Sequence, residues 1–209
     1  MMIQINSKVK EVLEWVYCIV IALVLALLIR YFIGTPTVVM QVSMKPTLVQ
    51  GQRLILNKTP RTFHGTYEKG DIITFEAPSV DYAKNVKAEY NYKPKNIFES
   101  FTYYVLEIGK TSYIKRVIAL PGEHVEIRDG KVYVEGEKIE EHYLSSIVKT
   151  EPQNPNLVDF IVPEGYIFAM GDNRAESMDC RKFGCIPIEK IESKVLIRFW
   201  PLNLFGKVD

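Results

Sequence analysis

The longest apolar stretch of the chain runs from Trp15 to Ile29, WVYCIVIALVLALLI, without a single charge. With Val12, Leu13 and Tyr31 to Ile33 it reaches roughly 20 residues, interrupted by Glu14 and Arg30 near its ends, and ~20 helical residues at ~1.5 Å each cross ~30 Å of hydrocarbon. The run has no polar face, so the pattern predicts one transmembrane helix rather than the core helix of a soluble protein. A cleavable signal peptide has a shorter apolar core and a small-x-small exit, for which RYFIGTPTV is a poor match. Lys8 and Lys10 precede the span and Arg30 can snorkel from its far end, so the charge bias favours a cytoplasmic N-terminus. Residues 1–33 then form a short stub and a single-pass anchor, and residues 34–209 lie outside the cytoplasm.

Beyond Thr35 the period changes to two. TVVMQV, DIITF, YIKRVIAL, HVEIRDGKVYVEG, YIFAM and KVLIRFW are short, rich in β-branched and aromatic residues, and bounded by Gly, Pro, Asp or Asn. Asp129-Gly130 predicts a hairpin, because that dipeptide accepts the positive φ angles of a type I′ turn. The fold class expected is mainly β: one N-terminal transmembrane helix followed by an antiparallel β-rich domain. Short helices fit only Ala83 to Tyr90 and Pro187 to Ser193. Residues 79–111, with five tyrosines and scattered charges, read as an insertion, a solvated excursion or an extra hairpin, and no chemistry is assigned to them.

Composition adds limits rather than a function. The 209 residues hold one anchor and one sizeable domain, 47% apolar and 24% charged, and the net charge of +1 gives no field to attract nucleic acid. Three cysteines and three histidines show no metal-ligand spacing, so neither a metal nor another cofactor is expected. Cys18 reads as apolar filler in the span. Cys180 and Cys185 enclose four residues, and both a disulfide and two free thiols fit that spacing.

Ser43, in QVSMKPTL, lies ten residues past the span. That tether reaches at most about 35 Å, so chemistry at Ser43 would work near the membrane face. A serine hydroxyl is a weak nucleophile that needs a base, either histidine or a neutral lysine. His64, His124 and His142 read as surface residues with no carboxylate to orient them. Lys115 in SYIKRVIALPG is on the strand face of Val117 and Ala119, with Ile114, Arg116 and Ile118 opposite, a setting that suits a desolvated amine. Taken alone, the segment fits an edge-strand lysine in water better than a buried one. Lys45, before a proline in a turn, should point to solvent.

Blocks in this order resemble the type I signal peptidases, the membrane-anchored Ser-Lys proteases, in their Gram-positive form. They are SMKPTL, KGDIITF, YIKRVIALPG, MGDNRAESMDCRKFG and the tail VLIRFWPLNLFG, and together they cover nearly everything outside 79–111. The resemblance implies Ser43 as nucleophile and Lys115 as general base, with Ser177 orienting the amine. It further implies Asp179 and Arg181 as a bracing ion pair, and Asp172, Asn173 and Arg174 as a scaffold turn. Met44, Leu48, Tyr113 and Ile114 would line the pocket for the residue before the cut. The implied substrates are exported preproteins, cut at the outer face of the cytoplasmic membrane, with membrane lipid and the secretion machinery as neighbours and no nucleic acid.

Two positions depart from that family. Gln41 stands where a serine or glycine is usual, and where it is serine its hydroxyl serves the oxyanion hole. Losing one such donor costs ~3 kcal/mol of transition-state stabilisation unless the Gln41 amide replaces it. Cys180 replaces a common serine. Gln41 and the insertion raise the reading of an enzyme dedicated to a subset of surface proteins. Gln41 also raises the alternative of a weak or inactive assembly factor with the same fold. A self-cleaving Ser-Lys regulator would need a helix-turn-helix and an internal cleavage site, and the sequence shows neither.

Overall fold

A computed structural model describes residues 7–79, 90, 93–145 and 147–208. Helix α1, Ser7–Leu28, opens the chain, and a wider π turn at Ile29–Ile33 ends it. Its 22 residues reach about 33 Å at 1.5 Å per residue, and its apolar side chains are largely exposed, Trp15, Ile19 and Leu23 among them. The window Lys8–Ile33 is long and apolar enough to cross a membrane.

The rest is mainly β, as the alternation predicts. The strands are β1 (Gly34–Val38), β2 (Arg53–Asn57), β3 (Ile72–Glu76), β4 (Ser112–Ala119), β5 (His124–Arg128), β6 (Lys131–Val134), β7 (Glu137–Lys138), β8 (Asp159–Ile161), β9 (Tyr166–Met170), β10 (Ile186–Pro187) and β11 (Ile191–Trp200). A seven-stranded sheet has the order β1-β2-β11-β3-β4-β9-β10, and a four-stranded sheet the order β7-β6-β5-β8; all pairings are antiparallel. Asp129 and Gly130 both take positive φ, 53° and 71°, between β5 and β6, as the hairpin dipeptide requires. One face of this hairpin, Val125, Ile127, Val132 and Val134, closes over Ile73, Phe75, Val117 and Phe168 of the larger sheet in a shared core. A second, smaller core of Val39, Met44, Leu48, Leu54, Leu56 and Ile72 lies under the turn that carries Ser43.

Several local expectations change. TVVMQV is not one strand: β1 ends at Val38, and Gln41–Val42 lead into the Ser43 turn. β2 has no clear pattern of its own, because RLILN is brief and follows the polar VQGQ. Pro187–Ser193 forms only the 3-10 turn Ile188–Lys190 before β11 takes over, since Ile191 and Ser193 pair with Phe75 and Thr74 of β3. Between β3 and β4 the described part is helical rather than a hairpin: α3 (Ile97–Ser100) continues into a π turn at Phe101–Val105, and the Asn96 side chain caps it by accepting from Glu99 N. The helix expected at Ala83 to Tyr90 lies outside the described residues, Tyr90 excepted.

Candidate active site

β3 and β4 pair in a register that sets Lys115 opposite Ile73. From there the side chain reaches the turn after β1, where Lys115 Nζ and Ser43 Oγ lie 2.8 Å apart, and Nζ also donates to Ile114 O at 3.0 Å. Both residues are buried, with Lys115 1% and Ser43 6% exposed, and the Tyr113 ring centroid lies 5.2 Å from Nζ. Burial away from water disfavours the ammonium and lowers the Lys115 pKa to about 8, while the nearby Asp179 carboxylate pulls the other way. The shift requires the desolvation to outweigh the anion.

The serine turn is held from behind. Asn173 N–H donates to Ser43 O at 3.0 Å and Asn173 Nδ2 donates to Val42 O at 3.3 Å. Gly171 packs so tightly there that a Cβ would fall 2.4 Å from Ser43 O and 2.1 Å from Ser177 Oγ. Ser177 Oγ is buried and has no hydrogen-bond partner among the described residues. The loop beyond it is braced by Asp179 and Arg181, joined through Nε–Oδ1 and Nη2–Oδ2, both at 2.9 Å. Asp179 also accepts from Gly171 N and caps α4 (Cys180–Phe183) through Arg181 N.

A second buried pair joins Arg116 of β4 to Asp172. Arg116 bonds Asp172 through Nε at 3.0 Å and Nη2 at 2.8 Å, and its guanidinium stacks 4.0 Å from the Tyr143 ring centroid. An arginine inside the apolar YIKRVIAL strand was the available signal, since a buried guanidinium needs a carboxylate. Arg174 likewise pairs with Glu141 and donates to Gly171 O at 3.0 Å.

Ser43, Gln41, Met44 and Ile114 line one cleft of about 430 Å³, whose further walls include Thr74 and Ser193. Of the four residues named for the pocket, Met44 and Ile114 line it. Leu48 is fully buried in the core below, and Tyr113 does not line the cleft but packs toward Phe75 and the lysine amine. Gln41 is exposed on the wall, and Lys45 is exposed. Cys180 and Cys185 are free thiols; burial raises both, Cys185 to about 12, and Cys180 Sγ accepts from Ala169 N at 3.2 Å.

His124, expected to lack a carboxylate, has one: its Nε2 lies 2.6 Å from Asp159 Oδ1. The neighbour arises from β5–β8 pairing, which brings Asp159 opposite Glu126. The bond raises the histidine pKa; it sits on the four-stranded sheet.

A hydroxyl bonded to a desolvated amine at the wall of an open cleft is an arrangement that nucleophilic hydrolysis can use. A family model described as "Signal peptidase, peptidase S26" matches residues 12–200. Signal peptidase I of Bacillus licheniformis is 37% identical over 210 residues, covering 98% of this chain and 97% of that protein. The probable signal peptidase I-1 of Synechocystis sp. is 36% identical over 204 residues, covering 98% and 90%. The crystal structure of a signal peptidase I from Enterococcus faecalis aligns over 62% of this chain and 96% of that one, with a TM-score of 0.41 and 26% identity. The chain belongs to the signal peptidase family, peptidase S26, and is a peptidase.

Proposed function

We propose that this peptidase is a serine endopeptidase of the Ser-Lys type, which cuts signal peptides from exported preproteins at the outer face of the cytoplasmic membrane. The observation that carries the reading is the 2.8 Å contact between a buried Lys115 amine and Ser43 Oγ. The neutral amine takes the Ser43 proton as Oγ attacks the scissile carbonyl, and the resulting ammonium protonates the leaving amine. The amine, neutral again, then activates a water that releases the acyl-enzyme. As base, the amine uses its lone pair on Ser43 and one N–H on Ile114 O. Its second N–H needs an acceptor, and the unpartnered Ser177 Oγ fits that role. The oxyanion is received by Ser43 N–H, with the Gln41 amide as second donor from the cleft wall.

A preprotein cut just outside its signal segment offers an extended strand beside the bilayer. The cleft wall formed by β1 and its flanks suits binding by strand addition, with Met44 and Ile114 at a small pocket for the residue before the cut. Residues 1–33 anchor the chain and 34–209 work outside the cytoplasm, with 79–111 as an insertion.

Detergent-solubilised protein incubated with a preprotein should yield the mature N-terminus by mass. Ser43→Ala and Lys115→Ala should both abolish the product. Cleavage unchanged in either variant overturns the Ser-Lys assignment, and a wild type that yields no product supports the inactive assembly factor instead.

A further inference from the structure

The helical segment between β3 and β4 has an apolar face left uncovered by the described residues. Ile97, Phe98 and Phe101 are 88%, 72% and 41% exposed, whereas Tyr103 is buried and its hydroxyl donates to Glu76 Oε1 at 3.4 Å. At about 100° per residue along α3, Ile97, Phe98 and Phe101 fall within one sector of roughly 100°, and the buried Tyr103 lies off that face. Ile108 continues the patch, and exposed Lys93 and Lys95 stand just ahead of it.

This segment is tied to the end of the apolar N-terminal helix. Arg30 Nη2 donates to Leu106 O at 3.1 Å and pairs with Glu107 Oε2 at 3.3 Å, and Glu107 Oε1 pairs with the buried Lys58 Nζ at 2.6 Å. Helix α2, Thr59–Thr62, grips the same turn of chain. Thr62 Oγ1 donates to Phe32 O at 2.8 Å, the Arg61 guanidinium lies 5.6 Å from the Tyr31 ring centroid, and Phe63 is 72% exposed. Two segments with exposed aromatic side chains and basic neighbours therefore fasten onto Ile29–Ile33, where the apolar helix ends.

We propose that α3 with its π turn, together with Phe63 at the end of α2, forms a collar around the anchor that docks on the lipid surface. The occupant is lipid because the patch is continuous with the end of a membrane-length helix. An apolar sector flanked by lysine and arginine is also the pattern of an interfacial helix. Ile97, Phe98, Phe101 and Phe63 enter the boundary between acyl chains and headgroups, while Lys93, Lys95 and Arg61 remain among the headgroups. Glu107 and Lys110, at the end of the same segment, line the cleft that holds Ser43, so the collar fixes the height of the cleft above the bilayer. The inference rests on the anchor reading of residues 1–33.

The test uses the full chain in proteoliposomes whose acyl chains are brominated, with tryptophan emission as the readout. Trp200→Phe alone leaves Trp15 as the reporter of the anchor. Trp15→Phe with Trp200→Phe gives the background into which Phe98→Trp, Phe101→Trp or the control Ile147→Trp is added. The expected result is at least twofold loss of emission for Trp15 and for either collar reporter, with the control unchanged. Quenching of Trp15 alone leaves the anchor standing and overturns the collar. No quenching of Trp15 removes the anchor reading and the collar with it. Collar reporters shielded from both bromolipid and aqueous iodide would reveal a protein or a second copy on this face, which also overturns the proposal.

Discussion

Lys115 offers the most demanding test of the proposed dyad, because under that proposal one number sets both catalysis and stability. Burial lowers its pKa from 10.5 to about 8. At pH 7 that raises the neutral fraction from roughly 3 in 10,000 to roughly 1 in 11, a gain of about 300-fold in competent base, equivalent to ~3 kcal/mol of ammonium destabilisation. The plot of log kcat/KM for preprotein cleavage should therefore climb with unit slope in acid and level off near pH 8, since kcat/KM reports the free enzyme. The stability sign follows from the same shift. The folded pKa is below the unfolded one, so between about pH 8 and 10.5 the unfolded chain binds more protons and stability rises with pH. Below pH 8 the penalty is present in full. Lys115→Met removes it: the variant should be inactive, should be more stable than wild type at pH 7 by up to ~3 kcal/mol in urea denaturation, and should lose the rise above pH 8. An acid limb centred near pH 10 would refute the reasoning. So would a Lys115→Met protein whose stability tracks wild type at every pH.

Ser177→Ala removes the proposed acceptor of the amine's second N–H; kcat should fall about tenfold with KM unchanged and the acid limb displaced, whereas a purely structural role would leave the limb where it was. Gly171→Ala drives a methyl into Ser43 O and Ser177 Oγ, so urea midpoints should fall by an equivalent of ~1–3 kcal/mol and turnover should fall further than stability alone explains. Asp172→Ala leaves the Arg116 guanidinium buried and unpaired, for a loss of ~3–5 kcal/mol in the same assay, and Asp172→Ala/Arg116→Met should recover most of it.

Some of this molecule is readable residue by residue. WVYCIVIALVLALLI is apolar on every side, and no interior of this small domain needs such a helix, so its length and composition alone specify a membrane-length element. Asp129-Gly130 specifies its turn through backbone sterics confined to two residues. The alternation in YIKRVIAL and YIFAM finds β4 and β9, since period-2 burial is a local property. β2 escapes the same reasoning because its five residues are held by long-range pairing to β1 and β11 on either side. The ordered blocks named the family, and with it Ser43 and Lys115 as a pair.

What the sequence left open at Lys115 was whether the amine lay in water or away from it. That is a property of neighbours far along the chain. Ser43 is 72 positions away, Asp179 pulls on the charge from the loop after β9, and the β3–β4 register decides which way the lysine points. The same applies to Asn173 on the Ser43 carbonyl, to Asp172 under Arg116, and to Leu48 in the core rather than the pocket. Periodicity fixes which face of a strand a side chain takes, but desolvation and hydrogen-bond partners are sums over everything packed against that face, and only the assembled sheets bring those groups together.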